Sequence, residues 1–71
     1  MMTKLKNGEF VDLNNVARLE VIGGKTWGVQ VYPKVGDHRG YGVFRGGTQQ
    51  QAQAFREELE ATINTARETN A

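Results

Sequence analysis

The chain of 71 residues contains no cysteine, no serine and only one histidine. The absence of cysteine excludes disulfide bridges and thiolate metal sites. Without cysteine or serine, the chain also lacks the common nucleophiles of acyl transfer. One histidine and scattered carboxylates do not provide the clustered ligands of a typical metal centre. We therefore expect a protein that is not an enzyme and that uses no metal or cofactor.

Long apolar segments are also lacking. No stretch approaches the roughly 18 apolar residues that a membrane-spanning helix requires. The polar start of the sequence has no apolar core of the kind found in signal peptides. A small chain without cysteine suits a reducing compartment. These features predict a cytoplasmic protein that does not contact a membrane.

The charge balance is nearly even, with a net charge of +1. Residues 1–45 carry seven basic and four acidic side chains, a net +3, whereas residues 46–71 carry two basic and four acidic side chains, a net −2. The first part of the chain is therefore mildly basic and the last part mildly acidic. An asymmetry of this size does not by itself indicate a polyanionic partner.

Four strands are predicted in the first two thirds of the chain. Apolar and polar residues alternate over residues 16–22 and 25–32, which is the pattern of half-buried strands. A shorter strand is expected at residues 9–13 and a glycine-rich one at residues 38–45. Two glycines, at positions 23 and 24, predict a type I′ hairpin turn, since that turn requires positive φ at both central positions. The short connections favour an antiparallel meander.

A helix is predicted after the last strand. Thr48 and Gln51 match the capping box that begins many helices. The apolar residues that follow recur at spacings of three and four, which places them on one face. They are Ala52, Phe55, Leu59, Ile63 and Ala66. We expect the helix to end near residue 67, with residues 1–8 and 68–71 frayed.

Together these elements predict one small α+β domain over residues 1–71: a four-stranded antiparallel meander followed by one C-terminal helix packed on one face (ββββα). The expected core consists of Leu19, Val21, Trp27, Val29, Val31, Val43, Phe55, Leu59 and Ile63. A core of this size stabilises a domain by only about a few kcal/mol, and small domains often gain stability by association. We therefore also expect a homodimer.

The sheet face away from the helix is the predicted interaction surface. We expect it, with the adjoining loops, to use Arg18, Lys25, Gln30, Tyr32, Lys34, Asp37, His38, Arg39, Phe44 and Arg45. Aromatic side chains beside arginines are typical of protein–protein interfaces. The same combination also suits stacking on the bases of single-stranded nucleic acid.

Two further features have simpler explanations than function. Asp37 next to His38 could form a general base with its orienting carboxylate, but such a pair is more often a solvated loop. Gly46-Gly47-Thr48 could bind an anion at the helix N-terminus, but the glycines are explained by the turn from strand to helix.

The order of the elements resembles two groups of proteins. Residues 10–16 followed by residues 19–21 resemble the opening of many small uncharacterised bacterial and phage proteins, which begin with a strand, an Asn/Asp turn and a second strand and end in an acidic helix. The resemblance covers residues 9–66. It implies stoichiometric binding, for example as an inhibitor of a bacterial host defence system, and no catalytic residues.

The second resemblance is to the single-stranded-DNA-binding transcriptional coactivator domain, which also has four strands and one helix and forms dimers. That family has a richly basic sheet, whereas this chain has only Lys25, Lys34, Arg39 and Arg45 in the corresponding region. The leading prediction is therefore a protein-binding homodimer. Single-stranded nucleic-acid binding is the alternative.

Overall fold

The computed structural model describes residues 2–36 and 38–70, with the backbone alone for residues 69 and 70. It contains β1 (Thr3–Lys4), β2 (Phe10–Val11), β3 (Arg18–Ile22), β4 (Trp27–Tyr32), β5 (Tyr41–Gly47) and α1 (Gln49–Asn70). All pairings are antiparallel, β1 with β2 in one sheet and β3-β4-β5 in a second sheet. The α+β class with one C-terminal helix is confirmed. The single four-stranded meander is wrong, because the strands are divided between two sheets.

The N-terminal sheet is the part that the sequence did not predict. Thr3 lies opposite Val11, and the intervening turn is closed by a hydrogen bond of 2.7 Å from the Leu5 amide to the Glu9 carbonyl. Gly8 occupies this turn with φ 90°, a conformation that favours glycine. Backbone hydrogen bonds form this ladder whatever the polarity of the side chains, so the polar composition of residues 1–8 gave no sign of a strand. The predicted strand over residues 9–13 is reduced to Phe10–Val11.

The three-stranded sheet has a regular half and an irregular half. β3 and β4 pair without interruption, with Leu19 opposite Val31 and Val21 opposite Val29. These four side chains face the helix and belong to, or pack against, the buried cluster. We call the opposite side of the sheet, where Glu20 lies across from Gln30, the outer face. The three strands begin two or three residues later than predicted, and β5 ends two residues later.

The hairpin between β3 and β4 is confirmed, but its turn type is not. Neither Gly23 nor Gly24 has positive φ, so the predicted type I′ turn is wrong. Gly23 is needed for a different reason, because a Cβ there would lie 2.7–2.9 Å from three ring atoms of Trp27. The glycine makes room for the indole ring to pack on the backbone.

A bulge in β5 changes which side chains face the helix. The pairing with β4 is regular at Gly42 and then shifts twice: Phe44 rather than Val43 lies opposite Val29, and Gly47 rather than Gly46 lies opposite Trp27. A bulge of this kind sets two residues against one and disturbs the alternation of faces. Val43 is fully buried, and the Phe44 ring stacks on Phe55 of the helix with a centroid distance of 4.9 Å. Strict alternation would place Phe44 on the outer face, and the bulge moves it to the helix side.

The predicted capping box of α1 is confirmed. The Thr48 Oγ1 accepts from the Gln51 amide at 3.1 Å, and the Gln51 Oε1 accepts from the Thr48 amide at 2.9 Å. The helix continues to Asn70, beyond the predicted end at residue 67. No helix in the described part of the chain is both long and apolar enough to cross a membrane.

The core lies between the helix and the sheets. Its buried members are Val11, Val16, Val29, Val31, Val43, Ala52, Leu59 and Ile63. The remaining predicted core residues are half-buried and pack against this cluster; they are Leu19, Val21, Trp27 and Phe55. Val11 and Val16, which the sequence did not place in the core, join the N-terminal sheet and the following loop to it.

Candidate functional site

The outer face of the three-stranded sheet is the face that the helix does not cover. Helix α1 packs against β3, β4 and β5 from the other side. Antiparallel sheets commonly have one face on the core and one face in solvent. The side chains of the outer face are therefore available for contact with another molecule.

Three polar contacts order the side chains at one end of this face. The Arg18 guanidinium lies 4.2 Å from the centroid of the Tyr32 ring. The Arg18 Nη2 also lies 3.7 Å from the Glu20 Oε2, and the Tyr32 hydroxyl donates to the Gln30 Oε1 at 3.0 Å. Each contact is individually weak at an exposed position. Together they hold four long side chains close to the sheet.

The other end of the outer face is flat and carries a second arginine. A Cβ at Gly28 would overlap the carbonyl oxygen of Phe44, so the bulge in β5 requires glycine at this position. A Cβ at Gly42 would lie 3.2 Å from the Nε of Arg45, which shows that the arginine side chain lies over this glycine. A shallow groove of about 280 Å³ lies here, with Ile22 and Trp27 at its border.

The charge of the outer face is positive. Arg18 and Arg45 are both exposed, and Glu20 is the acidic residue that lies among them. Lys25 is exposed in the loop that follows β3. A surface with this balance is complementary to a negatively charged partner.

The structure brings four of the predicted interaction residues together on the outer face: Arg18, Gln30, Tyr32 and Arg45. Lys25 is exposed in the β3–β4 loop, at the opposite end of β3 from Arg18. These positions follow from the regular alternation in β3 and β4, and from the bulge in the case of Arg45.

The remaining predicted residues that the structure describes lie away from the outer face. Phe44 packs against the helix. Lys34, His38 and Arg39 are exposed in the connection between β4 and β5. Asp37 lies outside the described residues, so the predicted Asp37–His38 pair is not described either.

Asn15 fixes the position of the β4–β5 connection, a role that the sequence did not reveal. Its Oδ1 accepts from the amides of Lys34 and Val35, both at 3.0 Å, and its Nδ2 donates to the Val35 carbonyl at 2.9 Å. A short amide side chain beside a turn was the available signal, since asparagine often bonds to nearby backbone.

The structure also bears on the aromatic residues that nucleic-acid binding would use. One face of the Tyr32 ring is occupied by Arg18, and Phe44 is stacked on Phe55. Phe10, which is 51% exposed, belongs to the N-terminal sheet rather than to the outer face. The outer face therefore does not offer a row of free rings on which bases could stack.

The chemistry available for other kinds of site is limited. Among the described residues, no group of three or more His, Asp and Glu side chains could hold a metal ion. At the helix N-terminus the Thr48 and Gln51 amides are already bonded in the capping box. No protein-family model matches the chain, and no curated protein or solved structure shows significant similarity to it.

Proposed function

We propose that this chain is a non-enzymatic protein-binding module whose outer sheet face docks on an acidic surface of a partner protein. One observation carries the proposal. The outer face combines an open, flat sheet with two exposed guanidinium groups, from Arg18 and Arg45, and one carboxylate from Glu20. Arginine and tyrosine are enriched at protein interfaces because both combine apolar area with hydrogen bonding.

The arrangement of the aromatic residues favours a protein partner over single-stranded nucleic acid. Binding to single strands depends on exposed rings that stack on successive bases. Here Tyr32 is covered on one side by Arg18, and Phe44 packs against the helix. An arginine held over tyrosine is also well placed to pair with a carboxylate, since its guanidinium is ordered before binding.

The protein would then act by binding its partner stoichiometrically, without changing it covalently. The resemblance to small phage proteins makes a bacterial host protein the partner class to test first. Such a partner would be recognised by its acidic surface and by its fit to the flat surface at Gly28 beside Arg45.

Site-specific photo-crosslinking tests the location of the contact. A photoreactive amino acid at Gln30 lies in the middle of the outer face, whereas the same group at Gln53 lies on the exposed side of α1 and serves as control. We expect acidic proteins from a bacterial lysate to be crosslinked at Gln30 and not at Gln53. No product at Gln30, or the same products at both positions, would contradict the proposal.

A binding measurement with the purified crosslinked partner then tests the chemistry. Arg45→Glu should weaken binding by at least about tenfold, because it sets a carboxylate against an acidic surface. Lys4→Glu makes a similar change of charge at an exposed position of β1, in the other sheet, and should leave binding nearly unchanged. Equal losses from both substitutions would show that net charge, and not the outer face, determines binding.

A further inference from the structure

The outer edge of β3 is the unprotected edge of the three-stranded sheet. β3 is the end strand in the order β3-β4-β5, and within the described residues no strand pairs with its outer side. The opposite edge is different, because the Asn7 Nδ2 donates to the Val43 carbonyl at 2.7 Å and the bulge distorts β5. Bulges and covering side chains are the usual ways in which edges are kept from pairing. β3 itself has neither, and its five residues pair with β4 without a shift. Just before the strand, the Arg67 Nη2 donates to the carbonyl of Val16 at 3.4 Å.

We propose that β3 pairs antiparallel with β3 of a second copy of this chain, with the two-fold axis at Leu19. The two sheets of three strands would then form one continuous sheet of six strands. The pairing goes beyond the proposed partner contact, since it uses the edge of the sheet rather than the floor of the outer face. In a C2 interface of this kind each contact occurs twice, once from each copy.

The charges of β3 are complementary to themselves in this register. When Leu19 lies opposite its own equivalent, Arg18 lies opposite Glu20 of the second copy, and Glu20 lies opposite the second copy's Arg18. Opposite side chains of antiparallel strands lie on the same face with Cβ atoms about 4.5–5.5 Å apart. Two cross-strand ion pairs therefore form on the outer face. They extend the contact between Arg18 and Glu20 that already exists within each chain.

The neighbouring registers are unfavourable. Moving the axis by one residue places Glu20 opposite Glu20 or Arg18 opposite Arg18, and like charges directly opposite each other destabilise a sheet. If the axis lay between two residues, each strand would be shifted by one residue. The outer face of one copy would then lie beside the helix face of the other, because a one-residue shift exchanges the faces. Charged residues usually protect an edge from pairing. The order Arg-Leu-Glu permits pairing in one register.

The helix side of the edge also favours a second copy. Leu19 and Val21 pack against the core but are only half-buried, and Ala17 is exposed. In the proposed register Leu19 meets its own equivalent, and Ala17 meets Val21 of the second copy. A groove of about 260 Å³ lies on this side of the edge between β3 and α1, and the helix contributes Arg56, Glu60 and Arg67 to its lining. Pairing would complete the burial of these apolar side chains.

Charge reversal at two positions tests the pairing. With Arg18→Glu, each cross-strand pair brings two carboxylates together. With Glu20→Arg, each pair brings two guanidinium groups together. Sedimentation equilibrium of the unmodified chain should show a monomer–dimer equilibrium, and each variant should raise the dissociation constant by at least about tenfold. An equimolar mixture of the two variants should dimerise again, because every cross-strand pair is then of opposite charge. The double variant Arg18→Glu/Glu20→Arg should dimerise as well.

The controls separate this inference from the proposed function. Arg45→Glu makes the same change as Arg18→Glu on the outer face but away from the edge, so it should leave dimerisation intact while weakening partner binding. Circular dichroism verifies that each variant is folded; both substituted side chains are exposed, so the fold should tolerate them. A monomer at all concentrations up to about millimolar, or a mixture of folded variants that stays monomeric, would overturn the pairing. An equal loss with Arg45→Glu would also overturn it, by assigning the effect to net charge.

Discussion

Replacing Val11 by alanine should destabilise the whole domain, although the residue lies in a strand of only two residues. Val11 has no exposed surface and belongs to the same buried cluster as residues of β4, β5 and α1. The substitution removes two buried methyl groups, which are worth about 0.8 kcal/mol each, and leaves a small cavity. We therefore expect a loss of about 2 kcal/mol in the free energy of unfolding.

This loss is large for a small domain. At about 0.05–0.15 kcal/mol per residue, the whole chain should be stable by roughly 4–11 kcal/mol. A change of 1 kcal/mol shifts the Tm of such a domain by about 4–8 °C, so Val11→Ala should lower Tm by roughly 8–16 °C. Circular dichroism at the helix band measures this directly, because α1 is remote from residue 11 in sequence.

Val35→Ala is the matched control. It removes the same two methyl groups from a side chain that is 79% exposed, and such surface changes usually stay within about 0.5 kcal/mol. Equal shifts of Tm for the two variants would contradict the burial of Val11 in the shared core. They would show that the N-terminal sheet does not share the core of the domain.

Three further predictions concern contacts that are local to the sheet and the helix. Gly23→Ala should displace the Trp27 ring, change its fluorescence and cost about 1–3 kcal/mol through overpacking; an unchanged emission spectrum would contradict this contact. Thr48→Ala should cost about 1 kcal/mol in denaturant unfolding because the capping box is lost, and a neutral result would show that this cap contributes nothing. A double-mutant cycle of Phe44→Ala and Phe55→Ala should give a coupling of about 0.5–1.5 kcal/mol, whereas a coupling near zero would argue against the stacked pair.

The helix could be predicted from the sequence because its signals are local. Thr48 and Gln51 are three residues apart and bond to each other, so their spacing contains the whole of the cap. The apolar stripe likewise repeats within single turns, and Leu59 and Ile63 are buried as expected. Only the end of the helix was misjudged, since its last turn lacks a residue that stops it.

The sheet could be predicted only in part, because its geometry depends on pairing between distant residues. The regular alternation of β3 and β4 placed Arg18, Gln30 and Tyr32 on one face. The bulge in β5 has no signature in an alternating pattern, so Phe44 was expected on the wrong face. The alternation also gives no reason for glycine at position 28, where the nearby carbonyl of Phe44 leaves no room for a Cβ. Long-range backbone contacts of this kind cannot be inferred from composition or periodicity.

The face on which Phe44 lies decides whether the outer face is a basic protein-binding surface or an aromatic platform for nucleic acid. A nuclear Overhauser spectrum of the folded chain measures it most directly. We expect cross-peaks between the ring protons of Phe44 and Phe55, whose centroids are 4.9 Å apart. Cross-peaks from the Phe44 ring to the side chains of Gln30 and Tyr32, with none to Phe55, would contradict this expectation.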